Sequence, residues 1–134
     1  MKKISILLCI LMAFIFSACE KENVVADTNS TVTIRYDFTA TVEGKYDFRA
    51  VAKDVVHNEQ TNTKTWSKTL TVPKSGHGGD TARFTVTAPI EWIGTGIVSD
   101  VVLKIFVNDV EKASQPGQLL GVDRPNPVTV GVRY

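Results

Sequence analysis

Thr31-Val32-Thr33-Ile34-Arg35-Tyr36-Asp37-Phe38-Thr39-Ala40-Thr41-Val42 is the stretch on which the fold turns. Val32, Ile34, Tyr36, Phe38, Ala40 and Val42 alternate with Thr31, Thr33, Arg35, Asp37, Thr39 and Thr41. A period of two sends successive side chains to opposite faces of a pleated strand, whereas a helix needs apolar residues three and four apart. One apolar face and one polar face describe an antiparallel strand buried on one side.

Glu43-Gly44-Lys45 follows as a predicted hairpin turn, with a glycine free to take positive φ. The return strand carries Tyr46, Phe48, Ala50 and Ala52 inward until Val55-Val56 breaks the alternation, which predicts a bulge or a strand end. His57 to Thr63 is polar and predicts a loop. Thr65 to Val72 resumes a strand with Trp66, Leu70 and Val72 on one face. The breaker cluster Pro73 to Asp80 separates it from a strand with Ala82, Phe84, Val86 and Ala88 inward. Thr81, Arg83, Thr85 and Thr87 point outward from that strand. Pro89 ends it, and Ile90 to Ile93 predicts a short further strand before Gly94-Thr95-Gly96.

Val101, Leu103, Ile105 and Val107 form a strongly apolar strand, with Val102 and Phe106 on its opposite face. Asn108-Asp109 is a two-residue hairpin signal, and Gln115-Pro116-Gly117 closes the returning arm. Asp123 to Pro127 predicts a loop, and Val128, Val130, Val132 and Tyr134 a last strand. About seven or eight short strands with no helical period predict an all-β, two-sheet antiparallel sandwich over residues 31–134, with a small β-barrel as the alternative.

The start of the chain has a different logic. Lys2 and Lys3 precede an apolar run from Ile4 to Phe16, which is short of the roughly 20 residues of a membrane-spanning helix. Phe16-Ser17-Ala18-Cys19 closes the run. Cutting after Ala18 puts the large Phe16 three residues before the cut, where ordinary signal cleavage wants a small residue. The tetrapeptide instead resembles a lipobox, with residues 1–18 as the lipoprotein signal peptide and Cys19 as the lipidation site. A plain signal peptide with a coincidental cysteine is the alternative. Each buried methylene contributes about 0.8 kcal/mol, so two or three acyl chains on Cys19 would hold the protein on a membrane. Glu20-Lys21-Glu22 is similar to the charged tract that follows the cysteine in lipoproteins of Bacteroides-like bacteria. It reads equally as part of a solvated tether over residues 19–30.

Composition narrows the function classes. Lys and Arg number 15 against 14 acidic residues, so nothing points to nucleic acid as a partner. Of the two cysteines, Cys9 leaves with the signal and Cys19 is used by the lipid, which leaves no thiol for a disulfide, a zinc site or a nucleophile.

Three stretches share a pattern with a known family: Val32 to Tyr36; Trp66-Ser67-Lys68 followed by Ala82 to Ala88; and Leu103-Lys104-Ile105-Phe106-Val107-Asn108-Asp109 with a strand returning to Gln115. Their order resembles the immunoglobulin-like periplasmic domain of the small mycobacterial membrane proteins that accompany large lipid exporters. The resemblance covers residues 31–115 and implies an immunoglobulin-like sandwich in a small lipoprotein. Asp109 stands where the family's turn favours glycine, and a lipid anchor replaces a transmembrane helix.

Chemistry-bearing residues are sparse. His57 and His77 sit in predicted loops, where Glu59 or Asp80 would complete only part of a zinc site. Asp100, Asp109 and Asp123 lack the dense spacing of a calcium loop, and Ser75-Gly76-His77-Gly78-Gly79 precedes no phosphate-binding helix. Glu43, Glu59, Glu91 and Glu111 single out no catalytic pair. No nucleophile elbow is present, and nothing calls for a cofactor or a metal. Trp66 is in phase with a core face. Trp92, between Pro89 and Gly94, either stacks on a sugar or packs under the sheet edge. Phe106 is either an exposed contact or filler of a second layer.

The sequence thus predicts a non-enzymatic, lipid-anchored lipoprotein of the cell envelope, on the periplasmic or surface face of the outer membrane. It would bind another envelope protein or act as a structural accessory; the alternative is a carbohydrate- or small-ligand-binding module using Trp92, with Trp66 as well if that residue lies outside the core. An accessory to a lipid or peptide exporter is the third reading. Metabolic labelling with an alkynyl fatty acid is expected to tag the full chain, and Cys19→Ser to abolish the tag. A mature N-terminal peptide without acyl mass would remove the anchor.

Overall fold

A computed structural model describes residues 30–76, 79–121 and 126–134. The signal peptide, Cys19, almost all of the tether, His77 and Asp123 lie outside the described residues. The described residues form six strands: β1 (Thr31–Ala52), β2 (Val55–Pro73), β3 (Thr81–Thr87), β4 (Val98–Val107), β5 (Val110–Leu120) and β6 (Val128–Arg133). A 3-10 turn, Ile90–Trp92, lies between β3 and β4.

All pairings are antiparallel and belong to one six-stranded sheet, ordered β5-β4-β1-β3-β6 with β2 on the other edge of β1. β1 is 22 residues long and serves twice. Its first half pairs β4 from Ile34↔Val107 to Ala40↔Val101. Its second half pairs β3 from Asp47↔Thr87 to Ala52↔Ala82. β2 follows both halves, but Thr39 faces Thr65 while Gly44 faces Thr63. Ala40 to Glu43 therefore lie opposite Lys64 alone. Excess backbone on one strand of a ladder bends that strand, and here the bend brings both ends of β1 to one end of the molecule. Tyr36 Oη donates to the Val51 carbonyl at 2.6 Å, and Val32, Val107, Asp80 and Tyr134 line one cavity there. The all-β class holds, and the sheet approaches a closed barrel, the alternative architecture.

The departures from the expected elements share a cause. Glu43-Gly44-Lys45 is a bend inside a continuous strand and not a hairpin turn, because the surplus residues find partners: Val42 N–H donates to Ser99 Oγ at 3.2 Å, and Asp100 N–H to Thr41 Oγ1 at 3.0 Å. His57 to Thr63, expected as a loop, is strand paired to Gly44–Ala50. Most of its side chains face water on both sides, so it shows no alternation. Ile90–Ile93 forms a 3-10 turn and not a strand. Gln115-Pro116-Gly117 continues β5. Among the described residues six strands, from 6 to 22 residues long, thus stand where the sequence predicts seven or eight short ones. Asn108 and Asp109 do form the β4–β5 hairpin turn, with φ of 48° and 64°.

The core is aromatic. Trp66 stacks on Phe48 at 4.6 Å between centroids and an interplanar angle of 3°, and lies 5.3 Å from Phe84. Phe38 meets Tyr46 and Phe48 edge-on at 4.9 and 5.0 Å. Such pairs add about 0.5–1.5 kcal/mol each beyond burial. At the bend, the Ser99 hydroxyl is fully buried, and the Tyr46 oxygen lies 3.1 Å from it.

Two outcomes follow. A Cβ on Gly44 would lie 2.7 Å from Trp92 Cζ2 and 3.0 Å from Pro89 Cγ. Gly44→Ala is therefore expected to lower stability by about 1–3 kcal/mol in urea unfolding, as overpacking does. Burial raises the Tyr36 phenol well above its ordinary value, with Tyr134 adding to the shift, and burial also raises Tyr46 against an opposing hydrogen bond from Ser99. The unfolded phenols lose their protons near pH 10, so the folded state binds more protons above it. Stability is complete below about pH 10 and falls as pH rises further; Tyr36→Phe is expected to flatten that fall in urea titrations across this range.

Candidate functional site

Trp92 does not present a ring to solvent: of stacking on a sugar and packing under the sheet edge, the structure shows the packing, and the expected ligand contact falls away. It is 5 % exposed. Its ring meets Tyr46 edge-on at 5.5 Å and fills the space above Gly44, while its carbonyl accepts from Thr95 Oγ1 at 2.6 Å. Both partners come from distant sequence, and the bend in β1 brings Gly44 beneath the indole. Phe106 lies half-buried on the outer face of β4, with the Arg35 guanidinium carbon 4.1 Å from its ring centroid. Arg35 is itself held by Asp37 at 3.3 Å and Asp109 at 2.9 Å. Arg35 covers one face of the ring, which stays partly exposed.

His57 and Glu59, two apart on one face of β2, meet at 2.9 Å. The hydrogen bond from His57 holds the Glu59 carboxyl below its usual range, helped by the Trp66 side chain and opposed by burial. Glu43 accepts from Asn62 at 3.1 Å, and Glu111 pairs with Lys104 at 2.8 Å. Among the described residues no three His, Cys, Asp or Glu side chains gather as metal ligands.

The outer faces of the two halves of the sheet differ in charge. On the half built around β4, Arg35 pairs with Asp37 and Asp109, Lys104 with Glu111, Ser67 with Asp37 at 2.7 Å and Gln118 with Asp100 at 2.7 Å. That face satisfies itself. On the other half, Arg49 of β1, Arg83 of β3 and Arg133 of β6 are exposed and make no ion pair among the described residues.

Register aligns the three. Arg49 faces Thr85 and Val51 faces Arg83, so Arg83 lies two residues along from Arg49 on the neighbouring strand. Arg83 faces Gly131 and Thr81 faces Arg133, so the step repeats. One strand spacing and two residues of rise make each step about 8 Å. Three adjoining hollows follow the same diagonal. The first, of about 480 Å³, sets Arg49 beside Asn58, Gln60 and Thr85, with the carboxylates of Asp47 and Glu59 also in its lining. The second, of about 400 Å³, is lined by Arg49, Val51, Thr81, Arg83 and Thr85. The third, of about 340 Å³, reaches from Thr81 and Arg83 to Gly131 and Arg133.

The period-two pattern already turned Arg83 outward with Thr81, Thr85 and Thr87. Its alignment with Arg49 and Arg133 required the strand order β1-β3-β6. No protein-family model matches the chain, and no curated protein matches it in sequence.

Proposed function

We propose that this protein is a lipid-anchored, non-enzymatic binding module of the cell envelope, facing the periplasm or the cell surface from the outer membrane. The lipobox at Phe16-Ser17-Ala18-Cys19 supports the anchor, and the resemblance of residues 31–115 to an immunoglobulin-like accessory domain supports a role without catalysis. The observation that carries the binding role is the hollowed face across β1, β3 and β6, where Arg49, Arg83 and Arg133 lack ion partners among the described residues. Guanidinium groups with no ion partner among the described residues can bind an anion outside the chain, with two parallel hydrogen bonds to each planar anion. The face runs along the strands from the end where β1 begins, so a tethered domain presents it sideways.

The mature chain carrying Cys19→Ser, which stays unlipidated, is expected to sediment with isolated envelopes. Arg49→Gln/Arg83→Gln/Arg133→Gln in the same background is expected to cut that retention by more than about tenfold, since the loss of a single charged hydrogen bond already weakens binding by roughly that factor. Lys104→Gln, on the opposite face, is expected to leave retention unchanged. Equal retention of the triple variant and the parent would overturn the role of this face.

A further inference from the structure

We propose that the arginine diagonal binds an acidic polysaccharide, with carboxylate-bearing sugars of one extended chain seated on Arg49, Arg83 and Arg133. This rests on the binding role given to the same face and names its occupant.

The shape of the face selects a linear polymer. The three hollows adjoin through shared residues, Arg49 and Thr85 between the first and second, Thr81 and Arg83 between the second and third. A chain lying along them crosses β1, β3 and β6 obliquely and meets one guanidinium at each step of about 8 Å. Regular spacing of single positive charges suits a polymer with regularly spaced single negative charges.

The chemistry between the arginines selects a sugar. Thr81, Thr85, Thr129 and Asn58 supply hydroxyl and amide groups, and Gly131 leaves the β6 backbone uncovered. Thr85 Oγ1 and Thr129 Oγ1 lie 3.0 Å apart, either as donor, so their remaining hydrogen-bonding capacity faces outward. Sugar hydroxyls match such groups. Val51, opposite Arg83, is the outward-facing apolar side chain on β1 between the arginine levels, and it is half-buried. Protein interfaces have an apolar or aromatic centre, and single-stranded nucleic acid needs stacking rings; among the residues lining this diagonal Phe48 and Ala82 are buried, Pro127 is the exposed apolar one, and no ring faces outward.

Direction argues against a lipid headgroup layer. Arg133 lies level with Thr81 near the end where β1 starts, and Arg49 lies further along the strands. The diagonal climbs by four residues of β1, about 13 Å. A flat anionic surface would reach one end of it, whereas an extended chain spans all three.

The test is affinity electrophoresis of the mature Cys19→Ser chain in gels containing polygalacturonate, neutral galactan or no polymer. Retardation by polygalacturonate alone is expected, weakening as salt screens the charges. It is expected to fall about tenfold in Arg49→Gln/Arg83→Gln/Arg133→Gln and by less in each single variant. Thermal unfolding checks that the variants fold, and Arg→Lys at the three positions keeps charge while removing the bidentate fork, so partial rescue is expected. No retardation, equal retardation of the triple variant, or binding to phosphatidylglycerol vesicles without binding to polygalacturonate would each overturn the proposal. If envelope retention still depended on the arginines while polygalacturonate failed, the binding face would stand and its occupant would be another anion. Loss of both would remove the face itself.

Discussion

The indole of Trp92 occupies the space that a side chain at Gly44 would need, and the rest of the fold depends on that contact. Glycine lets the 3-10 turn press down on β1 where its surplus residues leave the ladder with β2. Gly121 repeats the arrangement from the other side, since a Cβ there would lie 2.3 Å from the Trp92 carbonyl oxygen. With the corner held between two glycines, β1 runs in one direction beside β4 and, past the bend, beside β3. Removing the bend would separate the halves and expose the aromatic stack that joins Phe48 to Trp66.

Much of this was legible wherever one face was wet and the other dry. Val32 to Phe38, Ala82 to Val86, Val101 to Val107 and the Asn108-Asp109 turn all follow from alternation and turn chemistry. The illegible parts lack that contrast. β2 from Val55 to Thr65 is an edge exposed on both sides, so its strand carries no pattern. Glu43-Gly44-Lys45 has the composition of a turn, and the glycine is there for close approach by Trp92 and not for positive φ. For the same reason the neighbours of Trp92 left its burial undecided: it depends on a residue some fifty positions earlier in the chain.

Charge is distributed by the same topology. Both halves of the sheet put polar residues outward, but β4 sets Lys104 opposite Asp37 and the arm beyond it brings Asp109 to Arg35 and Glu111 to Lys104, while β3 and β6 bring threonine and glycine opposite arginines. Near-zero net charge therefore conceals a neutralised face and a cationic one. A whole-chain balance argues about solubility and long-range fields; local recognition follows from which strands become neighbours.

The double use of β1 also has a mechanical consequence. Thr31, where any anchoring tether joins, begins a strand hydrogen-bonded on both edges, to β2 and to β4. A load applied between that point and the arginine face runs along β1. Antiparallel hydrogen bonds lie across the strand direction, so such a pull shears many at once, whereas peeling an edge strand breaks them singly. The domain enters its tether through the element best able to resist being drawn out.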